Sequence, residues 1–205
     1  MGLIAAICGI ASAALSVAKA LGAVGLAIEG VKMVVNSLVN VCKSLGLIKE
    51  ETKPEELGDK AIQAEEQGIK PENFKTYEEY VKAVENFEID PEKSKLTTEK
   101  EKAVKASELS AGLLLEKMPD VNIAGIPLLA EKLPPEKIAA IISTLKDGIG
   151  STYNNIIGVV TNKEKDTSKI SDGLSALALI EKTLDSSLTD QEALKRAMNS
   201  LQDKK

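Results

Sequence analysis

The sequence contains no histidine and no tryptophan, and its only aromatic residues are Phe74, Tyr77, Tyr80, Phe87 and Tyr153. Histidine is the commonest general base near neutral pH and the commonest zinc and iron ligand. Its absence excludes Ser-His-Asp and Cys-His catalysis, HExxH sites and histidine-cornered zinc sites. Cysteine is scarce as well, with Cys8 and Cys42 alone. Two cysteines cannot build a disulfide framework, and these two lack metal-ligand spacing. They are expected as buried thiols acting as small hydrophobes. The alternative is a disulfide joining two antiparallel N-terminal helices, which requires an oxidising compartment. The 14 glycines are scattered, so no glycine-rich phosphate loop forms. Adjacent carboxylates such as Glu65 and Glu66 read as a solvated charge run. These absences predict a protein that is not an enzyme and uses no cofactor and no metal.

A basic stripe is lacking too. The net charge is −5, and it is unevenly spread. Residues 1–48 carry three lysines against one glutamate, whereas residues 49–102 carry ten lysines against sixteen acids. The acidic middle repels a polyanion, so no nucleic-acid partner is expected. Residues 90–101, DPEKSKLTTEKE, place Asp90, Glu92, Ser94 and Glu101 at calcium-loop spacing. Lys95 stands where the loop needs glycine, so this stretch reads as a turn rather than a calcium site.

What the chain does have is a small, apolar opening. Residues 3–18, LIAAICGIASAALSVA, hold no charge and no aromatic ring in a chain that is 28% charged. A secretory signal puts its cations before the apolar core, but the first cation here, Lys19, follows it, so no secretory signal is expected. Lys19 also interrupts the roughly 20 apolar residues that a membrane span needs. Ala5, Gly9 and Ala13 recur at four-residue spacing, as do Ala14, Ala18 and Gly22. Spacing of four puts small residues on one helix face, where a second helix can approach closely in lipid or in a bundle. From Val24 onward, Val24, Ile28, Val31, Val35, Leu38 and Leu45 follow an amphipathic helical period. Residues 1–48 therefore read as an apolar helix or a helical hairpin turning near Gly22–Gly25. Its helix-packing or membrane residues are Ala5, Gly9, Ala13, Ala18, Gly22, Val24, Ile28, Val31, Val35 and Leu38. The Val24–Leu45 face could dock on residues 173–201, but burial between chains is the expectation, because the charged middle intervenes.

The remaining punctuation is helical throughout. Pro54 and Gly68 bracket a short helix over 54–66. Thr76 and Glu79 have capping-box spacing, with Tyr77, Tyr80, Val81, Val84 and Phe87 behind them as a local core or docking face. Residues 67–94, QGIKPENFKTYEEYVKAVENFEIDPEKS, resemble a segment of uncharacterised helical proteins of Gram-positive bacteria and their prophage or mobile elements. The resemblance implies a bacterial or phage-like setting and carries no catalytic residue. Thr98 and Glu101 open a helix reaching about Met118, Pro135 opens another ahead of Gly148, and Thr189 and Glu192 open the last. Residues 151–161, STYNNIIGVVT, fit either a short strand or a helix.

Together these readings predict an all-α, multi-helix bundle of seven to nine helices. Its expected divisions are 1–48, 49–96 and 97–205. The expected function is a structural subunit of a bacterial or phage-like assembly, whose partners are copies of itself or other assembly proteins. The alternatives are a membrane-active pore former or effector inserting residues 1–48, and a soluble helical adaptor burying them internally.

Overall fold

A computed structural model describes residues 8–14, 28–119, 121–144 and 149–202. Every regular element among them is helical. Residues 8–14 form one helical stretch. Ten α-helices follow: α1 (Ile28–Ser44), α2 (Pro54–Glu66), α3 (Tyr77–Glu85), α4 (Pro91–Ser94), α5 (Glu99–Lys117), α6 (Gly125–Ala130), α7 (Pro135–Thr144), α8 (Ile149–Val160), α9 (Thr167–Leu184) and α10 (Asp190–Gln202), with one turn of 3-10 helix (Pro71–Asn73) between α2 and α3. The protein is all-α, as the sequence predicts, with more and shorter helices than the seven to nine expected. The 151–161 stretch lies mostly within α8, so its strand alternative falls.

The chain divides into two units, Met1–Pro119 and Asp120–Lys205. The boundaries expected at 48 and 96 both fall inside the first. In that unit α5 is the hub, packing on α1, α2 and α3. Its residues Ala106 to Leu114 are buried without interruption, so this helix has no solvent face along that length, the pattern of a central helix. Small residues make the hub possible. Gly112 supports the Tyr77 ring, which a β-carbon there would meet at 2.2 Å.

Local chemistry sets the helix ends. Thr98 and Glu101 close a full capping box at the start of α5. At the start of α3 only half of the box forms. The Thr76 hydroxyl accepts from Glu79 N–H, while the Glu79 carboxylate takes the N–H of Lys75 instead. Helix α1 ends with Gly46 at φ +68°, with Leu47 N–H donating to the Cys42 carbonyl and Gly46 N–H to that of Lys43. This is a Schellman end, which needs the left-handed conformation that glycine adopts freely.

The partner of α1 differs from the expectation. Val31, Val35 and Leu38 are buried inside the first unit, and Ile28 is half-buried. The described part of the face expected to meet another chain packs on α5. The physical reason is the charged middle, which folds into short amphipathic helices and returns the chain to α1 rather than holding it away. In the second unit α9 packs on α7, α8 and α10.

Candidate functional site

Residues 8–14 offer the first candidate. Ala14 is buried, and Ile10 and Ala11 are half-buried, whereas Cys8, Gly9, Ser12 and Ala13 face outward. A β-carbon added at Gly9 meets nothing within 4 Å. The Gly9–Ala13 pair, expected as a close-packing face, is thus open on the surface of the first unit. Ala11 and Ser12 border a cleft of about 290 Å³ beside Glu65, Lys105 and Glu108. The companion positions Ala5, Ala18, Gly22 and Val24 lie outside the described residues. Cys8 and Cys42 are both free thiols. Cys42 is buried as expected, and its thiol donates to the Ser110 carbonyl at 3.5 Å. Cys8 is exposed, against the expectation of two buried thiols, because it lies on the outward face of its helix.

The two tyrosines of the aromatic stripe are not available to a partner. Tyr77 and Tyr80 are fully buried and meet edge to face, their ring centroids 5.5 Å apart. Phe87 is half-buried. Of the two expectations for this stripe, local core holds for both tyrosines, and a docking face does not. The α3 helix period that predicted the stripe is correct, but α5 covers it.

Three polar clusters tie the first unit together. In the first, the Lys102 ammonium lies 2.8 Å from Asp59 Oδ2 and donates to Ser94 Oγ at 2.8 Å. Ser94 Oγ in turn donates to Asp59 Oδ2, and Gln63 Nε2 donates to Asp59 Oδ1 at 3.0 Å. A serine beside a lysine suggests nucleophilic chemistry, which needs a free base. Here the lysine is committed to a carboxylate. Burial works to raise the Asp59 pKa, but hydrogen bonds from Lys102, Ser94 and Gln63 outweigh it and leave it lowered. That makes Asp59 a poor base, and the cluster a clamp joining α2, α4 and α5.

In the second cluster Lys105 bridges Glu65 at 2.7 Å and Glu108 at 3.0 Å, while Tyr80 Oη donates to Glu65 Oε1 at 2.7 Å. Burial and the Glu65 charge hold the Tyr80 phenol above its ordinary pKa, so it stays a neutral donor. In the third, the Glu116 carboxylate accepts the N–H groups of Tyr77 at 2.6 Å and Glu78 at 3.0 Å. It caps α3 from α5, satisfying amides that a helix start leaves unpaired. Sequence spacing could not find these clusters, since their members lie up to about 40 residues apart.

Two grooves accompany these clusters. One, of about 710 Å³ in the first unit, includes Ile62, Leu96, Lys100 and Val104. The other, of about 820 Å³ in the second unit, includes Val159, Ile170, Leu174, Met198 and Leu201. Among the described residues, no three His, Cys, Asp or Glu side chains gather as metal ligands, and no helix is long and apolar enough to cross a membrane. Searches of protein-family models, curated proteins and solved structures find no match to the chain.

Proposed function

We propose that this protein is a non-enzymatic assembly subunit whose N-terminal segment binds copies of itself. One observation carries the reading. The outward face of residues 8–14 is Cys8, Gly9, Ser12 and Ala13, at the centre of a run that has no charge from Met1 to Ala18. A glycine and an alanine four residues apart let two helix backbones approach closely. A contact removing ~400 Å² of apolar surface contributes on the order of 10 kcal/mol before association costs are subtracted. The first unit supplies the support, with α1, α2 and α3 packed on α5. The resemblance of residues 67–94 to prophage-associated helical proteins fits a bacterial or phage-like assembly.

Sedimentation velocity of the full chain tests this reading, comparing wild type with Gly9→Leu/Ala13→Leu. The expected result is concentration-dependent self-association in the wild type. The double variant should be monomeric and still unfold in a cooperative transition. A wild type that stays monomeric at every concentration, or a double variant that assembles equally well, contradicts it.

A further inference from the structure

The groove of about 710 Å³ in the first unit has the volume of a small-molecule site. It is distinct from the Gly9–Ala13 face and does not depend on the function proposed above. Its apolar parts come from three elements. Ile62 on α2 and Val104 on α5 are half-buried. Leu96, in the turn after α4, is 84% exposed, so a large apolar side chain stands at the groove with little packed against it.

The charges around this apolar centre are unevenly satisfied. Lys93 is paired with Glu66 at 2.9 Å, and Lys105 is held by Glu65 and Glu108. The Glu101 carboxylate is turned back on the Thr98 N–H and hydroxyl at 2.8 and 2.7 Å. Lys100 is the lining cation that has no ionic or hydrogen-bonding partner among the described residues. With the Lys100 ammonium unpaired at its side, and the Glu101 carboxylate uncompensated by a cation but turned back on Thr98, the apolar trough complements a molecule with one apolar chain and one anionic head that seats on Lys100.

We propose that this groove binds a single-chain anionic amphiphile, with its chain against Ile62, Leu96 and Val104 and its head on the Lys100 ammonium. An amphipathic peptide would need a longer apolar track than these three side chains provide. Laurate, presented as monomers below its micelle concentration, is the probe. Isothermal titration calorimetry of the full chain should give saturable binding at one site. Leu96 and Lys100 are both exposed, so Leu96→Asp and Lys100→Glu should leave the thermal transition in place. Reversing an exposed charge should weaken binding about tenfold, and Leu96→Asp should weaken it at least as much. Lys195→Glu, in the other unit, should have no effect. Dodecan-1-ol, with the same chain and no charge, should bind wild type and Lys100→Glu equally. Absence of saturable laurate binding, or a laurate affinity unchanged by either Leu96→Asp or Lys100→Glu, overturns the proposal. So does binding confined to phosphatidylglycerol vesicles, which would make this surface a bilayer contact.

Discussion

A β-carbon on Gly58 would stand 1.8 Å from the carbonyl oxygen of Lys102. Helices α2 and α5 therefore touch backbone to backbone at this point, and only glycine fits. Gly58→Ala must push the two helices apart, because backbone cannot swing aside as a flexible side chain does. The expected cost is about 3 kcal/mol, the upper end for an overpacked core, read from urea unfolding. Gly9→Ala is the matched control. In protein too dilute to associate it meets open space, and should be neutral or stabilise by up to about 1 kcal/mol. Equal effects from the two substitutions would contradict the close contact.

Thiol chemistry should separate the two cysteines. In dilute native protein, one equivalent reacts quickly with a disulfide reagent, and peptide mapping assigns it to Cys8. Burial pushes the Cys42 thiol above its ordinary pKa, which starves it of the reactive thiolate. The second equivalent should appear only on unfolding. Two fast equivalents would show that α1 does not lie against α5.

Tyr153 is fully buried, and its hydroxyl has no hydrogen-bond partner among the described residues. A buried unsatisfied polar group typically costs about 1–3 kcal/mol. Tyr153→Phe removes the hydroxyl and keeps the ring, so it should hold or raise the stability of the second unit, by about 1 kcal/mol. A clear loss in thermal unfolding would mean that the hydroxyl has a partner.

Acid should loosen the α3–α5 junction. Hydrogen bonds from Lys117, then Lys82, pull the Glu78 carboxyl from the ordinary 4.5 down to about 2. A depressed folded-state pKa stabilises the fold above the unfolded value and loses that contribution as protons bind. The increment is complete above about pH 4.5 and disappears as pH falls toward 2. Glu78→Gln should lower stability at pH 7 and flatten the fall between pH 4.5 and 2. An unchanged slope across that window would remove Glu78 from the account.

Much of the helix architecture was legible because its signals are local. Thr98 with Glu101, Pro54 with Gly68, and Thr189 with Glu192 mark ends through contacts within a few residues. The hub was not legible. Lys102, Lys105 and Glu108 look like a solvated charge pattern on α5, and only Asp59 and Glu65, some 40 residues earlier, draw them inward. The charged middle looked like a spacer for the same reason. Within the candidate site, the small-residue spacing at Gly9 and Ala13 was readable. The exposed Leu96 was not singled out by the sequence, because it acquires meaning only beside Ile62 and Val104, which α2 and α5 supply.

The central claim is that the outward face of residues 8–14 is the contact between copies, and Cys8 reports on it from within. The most direct measurement is the alkylation rate of Cys8 as protein concentration rises. The account predicts a rate that falls as copies cover the face, with no such fall in Gly9→Leu/Ala13→Leu. A wild-type Cys8 rate that stays constant across the whole concentration range would contradict it.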